Sequence, residues 1–174
     1  REEKREEKEI ESCGISVWCR VIIVSTISVP SIYQAIVWGK TPEKGIIEGY
    51  INRSKKNRIT YMLNQTVGKY SLTKYNRLNY NNPFSYLDLY PLTGRTHQLR
   101  VHLKEIGHSI IMDDAYGGSY NISSSFHQKY KPIIDSVFKK INRFALHAYK
   151  IKFIHPSTKE EMELVAPLPN DFRN

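Results

Sequence analysis

Two periodicities organise the chain. The run FSYLDLYPL (84–92) puts Tyr86, Asp88 and Tyr90 on one side and Leu87 and Leu89 on the other, the period-two pattern of a half-buried strand. Just downstream, Leu99, Leu103 and Ile106 recur at i, i+4 and i+7, one helical stripe. The spacing predicts a helix of about three turns. Thr93 or Thr96 can cap its start and Gly107 its end. His97, Arg100 and Lys104 then share the face away from the apolar stripe. Strand, tight turn at Gly94 and helix make one rigid corner.

The same reading extends outwards. IYQAIVWG (32–39) reads as a strand ending at Gly39, and KTPEKG as a turn. IIEGYI reads as a short strand and NRSKKNRI as a basic loop. The stretch 60–80 carries two strand-like runs broken at Gly68, and NNP at 81–83 is a turn. A helix is expected near Pro132 to Ile141. ALHAYKIKFIH and EMELVAPL are two strands joined by PSTKE. At the front, residues 1–9 alternate pairs of acids and bases, and the next twenty are β-branched and strand-like. No repeat is present. The order is strand-heavy with a few helices, which predicts an α+β domain built on a mainly antiparallel mixed sheet with flanking helices.

Charge narrows the class of partner. With 26 Lys and Arg against 17 Asp and Glu in 174 residues, the net charge is +9, a balance that favours a polyanion such as nucleic acid. The two cysteines, Cys13 and Cys19, can build neither a disulfide framework nor a four-ligand zinc site, so a reducing, cytoplasmic setting is the simplest reading. The apolar run VIIV is far too short to span a bilayer, and the first residues are mixed in charge rather than basic, so no membrane partner and no signal peptide are expected.

Familiar chemistries find little support. His97 and His102 are five apart and diverge by more than about 100° on a helix, unlike a zincin pair. There is no Gly-x-Ser-x-Gly elbow and no phosphate loop ending Gly-Lys-Thr. The arginines say more. Arg95 lies in the turn and Arg100 one turn into the helix, where a guanidinium can hold a carboxylate or phosphate in a bidentate pair.

TGRTHQLRVHLKEIGHSIIMDDAYGG (93–118) closely resembles the signature of the RluA-type pseudouridine synthases of ribosomal and transfer RNA. Three further segments agree with the family in order. They are the strand IYQAIVWG, the strand GKYSLTKYNRL and the carboxy-terminal hairpin LHAYKIKFIHPSTKEEMELVAPLPNDF. The resemblance implies a pseudouridine-synthase-like fold and the isomerisation of uridine in structured RNA, rRNA above all, without any cofactor or metal. It implies that Arg100 holds the nucleophilic aspartate in its ionised form, and that Tyr33 packs on the base and is a candidate for proton transfer. Leu146 would belong to the apolar wall of the pocket. Arg95, His97 and Gln98 would support the turn or contact RNA.

The pattern breaks in one place. The family's aspartate stands in a His-Arg-Leu-Asp segment that should precede Tyr33 by some thirty residues. Residues 1–30 contain neither aspartate nor histidine. The aspartates present are Asp88, Asp113, Asp114, Asp135 and Asp171, of which Asp113 matches a structural position of the family. Ser31 replaces a lysine, Ser109 a proline and Met112 a glycine. Residues 1–30 therefore read as a non-matching segment, and 31–174 as a catalytic domain incomplete on its N-terminal side. Such a chain is expected to be inactive alone. A non-catalytic RNA-binding protein and the remnant of a disrupted gene are the alternatives.

Overall fold

A single sheet of seven strands carries the molecule, every neighbouring pair antiparallel, in the order β3-β2-β4-β5-β1-β6-β7. The computed structural model describes residues 31–155 and 157–172. The strand-like reading of residues 10–30 and the charged tail lie outside the described residues. The strands are β1 Ser31–Trp38, β2 Lys44–Arg53, β3 Tyr61–Asn64, β4 Lys69–Asn81, β5 Phe84–Pro91, β6 Leu146–Ile154 and β7 Glu161–Val165. Among the described residues two α-helices accompany them, α1 Gln98–Glu105 and α2 Lys131–Lys140, with short 3₁₀ turns between. This is the expected α+β architecture.

The alternation in β5 sets the two faces of the sheet. Leu87 lies opposite Ala35, and Leu89 opposite Tyr33 and Tyr75, all on the side where α1 packs. Leu87, Leu89 and Ala35 are fully buried there with Leu103 of α1. Each such leucine contributes roughly 1.5–3 kcal/mol through removal from water. On the opposite side, Tyr86 donates to Gln34 Oε1 at 2.6 Å, Gln34 Nε2 donates to Asp88 Oδ1 at 2.9 Å, and Tyr90 donates to Asp88 Oδ2 at 3.3 Å. Burial and the Asp88 charge push the Tyr86 phenol up to about 12, so it keeps its proton. At the far end of β1, Trp38 stacks on Phe126 at 5.3 Å and meets Phe138 of α2.

The helix ends differ in how far they follow expectation. Gly107 takes φ 79°, His108 N–H bonds to Leu103 O at 2.9 Å, and Gly107 N–H bonds to Lys104 O at 2.9 Å. That is a Schellman stop with glycine where the left-handed backbone needs it. The start is different from the expected threonine cap. α1 has eight residues, about two turns rather than three, and its N-cap is His97 in the left-handed region at φ 56°, with no capping side chain. The helix is shorter because the stretch 93–96 forms a turn whose polar groups bond to β4.

Candidate active site

The corner between β5 and α1 is fixed by a chain of neutral hydrogen bonds. Leu72 N–H donates to Thr93 Oγ1 at 3.0 Å, and the Thr93 hydroxyl donates to Gln98 Oε1 at 2.8 Å. Arg95 N–H also reaches Gln98 Oε1, at 2.9 Å. The Gln98 amide donates to Leu72 O at 3.1 Å and to Thr73 Oγ1 at 3.0 Å. His102 completes the chain from within α1, its Nδ1 2.9 Å from Thr73 Oγ1 and its Nε2 2.9 Å from Ser71 Oγ, which itself donates to Gly49 O. The donors assign the tautomer. Ser71 spends its proton on Gly49 and so accepts from Nε2, while Thr73 donates to Nδ1. His102 is fully buried, and burial lowers it to about 4, so it is neutral. Every group in this chain has a partner, which is what a buried polar network requires.

On the outer side of α1 stands a charged cluster. Arg100 Nε donates to Asp113 Oδ2 at 2.7 Å and Nη2 to Asp113 Oδ1 at 2.6 Å, a bidentate fork. The Asp113 side chain is 1% exposed and that of Arg100 16%. The guanidinium lies between two rings, 4.5 Å from the centre of Tyr116 and 5.0 Å from that of Phe144. Burial pulls the Arg100 pKa down, but the Asp113 hydrogen bond and charge outweigh it and leave the pKa raised. Its Nη1 has no hydrogen-bond partner among the described residues, so one edge of the fork is open.

His97 ties this cluster to the hairpin of β2 and β3. Its Nδ1 lies 2.7 Å from the Tyr116 hydroxyl, which also accepts Tyr61 N–H at 2.9 Å. Burial and the Arg100 charge hold His97 below its ordinary pKa. A neutral ring then accepts the Tyr116 proton on Nδ1 and carries its own proton on Nε2. A left-handed backbone at a residue with these contacts is the local strain that functional corners often hold.

Tyr33 stands on the same side of the sheet as α1, opposite Ala148 on one flank and Leu89 on the other. Leu146 follows on that face, opposite Ala35. Phe144, two residues before Leu146, connects this apolar wall to Arg100. Gln98 is 4% exposed, its side-chain amide engaged with Thr93, Arg95, Leu72 and Thr73. Arg95 is exposed and its Nε donates to Tyr70 O at 2.9 Å.

Among the described residues the carboxylate partner of Arg100 is Asp113, the aspartate matched to a structural position of the family. The turn at 107–113 folds back beside the helix, and Asp113 N–H bonds to Ile110 O at 3.2 Å. The sequence reading also assigned no role to Tyr116, Phe144 or Tyr61. Tyr116 belongs to the quoted Tyr-Gly motif, which was its only signal. Of the other aspartates, Asp88 is tied to Gln34, Asp135 to Tyr120 and Asp171 to Arg143.

A family model described as RNA pseudouridylate synthase matches residues 24–105. An uncharacterized RNA pseudouridine synthase of Chlorobaculum parvum is 40% identical over 147 residues, covering 82% of this chain and 45% of that protein. Ribosomal large subunit pseudouridine synthase D of Vibrio cholerae is 37% identical over 139 residues, covering 80% and 41%. The chain thus spans less than half the length of these relatives. Among solved structures, human RNA pseudouridylate synthase domain containing 1 superimposes with a TM-score of 0.61 at 29% identity, covering 82% of this chain and 56% of that one. Human RNA pseudouridylate synthase domain containing 4 shares the fold, with a TM-score of 0.59 at 23% identity, covering 83% and 59%.

Proposed function

The chain belongs to the RNA pseudouridylate synthase family, of RluA type, and from that premise we propose that its corner of β5 and α1 serves the isomerisation of uridine to pseudouridine in ribosomal RNA. In that reaction the N1–C1′ bond of uridine is broken, the uracil turns, and a C5–C1′ bond replaces it, with C5 losing one proton and N1 gaining one. The target base must first leave its stack, at a cost of a few kcal/mol.

The observation that carries the reading is the Arg100 fork. Asp113 holds one edge of the guanidinium and two aromatic rings fix its plane, so the open Nη1 edge points in a set direction. A nucleophilic carboxylate meeting that edge stays ionised, the form that attacks. Tyr33 packs on the uracil, and Leu146 with Phe144 supplies the apolar wall. Asp113 is a positioning residue, buried and engaged on both oxygens, and is not the nucleophile. Residues 1–174 contain no aspartate in the family's His-Arg-Leu-Asp setting, so this polypeptide alone forms no pseudouridine.

The test is conversion of uridine in a ribosomal RNA fragment by the purified chain, read as base-specific primer-extension stops. The expected result is none with the chain alone. Conversion is expected when the N-terminal half of a relative carrying His-Arg-Leu-Asp is added, and it should be lost with Arg100→Met. Conversion by the chain alone would show that a carboxylate within it is the nucleophile.

A further inference from the structure

The β2–β3 hairpin carries a charge that no carboxylate among the described residues balances. From residue 49 to residue 87 there is not one Asp or Glu, while Arg53, Lys55, Lys56, Arg58, Lys69, Lys74 and Arg77 all fall in that interval. Lys55, Lys56 and Arg58 sit exposed at the tip, and Arg53, Lys69 and Arg95 are exposed nearby. Among the described residues none of these six pairs with a carboxylate.

The tip is nonetheless built as a structure. Ser54 Oγ accepts Lys56 N–H and Asn57 N–H at 3.3 Å, Asn57 Oδ1 accepts Ile59 N–H at 3.0 Å, and Ser54 N–H closes on Thr60 O at 2.9 Å. These side-chain bonds hold a defined turn, so its cations are presented from a fixed frame. The frame also continues into the site. Arg53 Nη2 donates to the Tyr61 hydroxyl at 3.3 Å, the Tyr61 ring meets His97 edge-on at 5.4 Å, and His97 bonds to Tyr116, over which Arg100 lies. Arg95 lies against the start of β4 through Tyr70 O. A row of unneutralised cations therefore runs from the hairpin tip to the edge of the Arg100 cluster.

We propose that the β2–β3 tip is a phosphate-binding element that holds the RNA backbone flanking the target nucleotide. Lys55, Lys56 and Arg58 make the outer contacts, and Arg53, Lys69 and Arg95 guide the strand towards Arg100. The proposal rests on the RNA reading of the site. Lysine and arginine heads pair with backbone phosphates, and releasing the counterions of those phosphates drives the binding.

The test compares two triple variants of the full chain, K55A/K56A/R58A at the tip and K129A/K139A/K140A at the exposed lysines in and beside α2. Each lowers the net charge of +9 by three, so bulk attraction changes equally. Binding to a short uridine-bearing RNA hairpin is measured across a salt series. The tip variant is expected to lose affinity about tenfold or more near 0.1 M salt, with the slope of log K against log salt shallower by about 2. The α2 variant keeps the slope of the unaltered chain. Equal losses in both variants, or an unchanged slope in the tip variant, would overturn the proposal while leaving the family reading intact. Binding to anionic vesicles with none to RNA, or no RNA binding by the unaltered chain, would overturn the RNA reading and this inference with it.

Discussion

Arg100 and Lys56 carry the same charge under opposite conditions. Arg100 is clamped by both oxygens of a buried aspartate and sandwiched between two rings. Lys56 stands exposed on a hairpin tip in a stretch of 39 residues, 49–87, without an acid. The first arrangement gives up net charge for direction. Its guanidinium can serve chemistry because two hydrogen bonds and two rings set its position. The second gives up direction for net charge, and its long-range field draws a polyanion in. A site that must both capture RNA and aim one group at one base has use for both, kept apart. The hairpin and the α1 corner meet through the polar links of Tyr61, His97 and Tyr116 and through Ile51 and Leu63, which pack with Val101.

This contrast predicts how the two regions respond to damage. Asp113→Ala should have the largest effect, because it leaves Arg100 half-buried and unpaired; a loss of about 3–5 kcal/mol in urea unfolding is expected. Replacing both partners, as Arg100→Met with Asp113→Leu, should cost much less than the single change, since the unpaired charge is gone. A single variant as stable as the original chain would show that the pair is solvated and holds nothing.

The next effect is one of pH. His102 is depressed to about 4 in the folded chain, against an ordinary value of about 6.5. Its contribution is fully present above pH 6.5. It is lost as pH falls from there towards 4, because the unfolded chain binds the proton first, and it changes no further below that. The loss is on the order of 3 kcal/mol. His97 and His147 are lowered too and add in the same direction. His102→Gln should flatten the pH dependence of unfolding in this window, and an unchanged profile would remove His102 from the account. The smallest effect belongs to the tip. K55A/K56A/R58A should shift unfolding by less than about 0.5 kcal/mol, since these side chains leave no buried group unpaired. A larger shift would mean that they hold the hairpin together.

Much of this was legible in the chain. The alternation of Leu87 and Leu89 with Tyr86 and Asp88 gave the faces of β5, and Gly107 gave the end of α1. The resemblance to the RluA-type signature is what pointed to Arg100. What stayed hidden depends on contacts distant in sequence. His102 looks polar on a helical wheel, and only Ser71 and Thr73, some thirty residues away, make its burial possible. Asp113 becomes the partner of Arg100 because a turn brings it back alongside the helix. The left-handed backbone of His97 has no sequence mark, whereas Gly107 announces its own. The acid-free interval could be counted from the sequence, but the direction in which it points could not.

The outermost strand has a consequence for crowding. Among the described residues β7 pairs only with β6, and its residues are all exposed. Met162, Leu164 and Val165 leave apolar area on this border. An unpaired border of this kind invites a second copy to add itself edge to edge. Glu163 sits at the middle of the strand, so an antiparallel meeting of two such borders centred there sets carboxylate against carboxylate. Lys150 and Lys152 pair with Glu163 from the neighbouring strand, at 2.6 and 3.1 Å, and hold its carboxyl below the ordinary range. A charged side chain set in the middle of an apolar border strand is the kind of feature that disfavours edge-to-edge addition of a second copy.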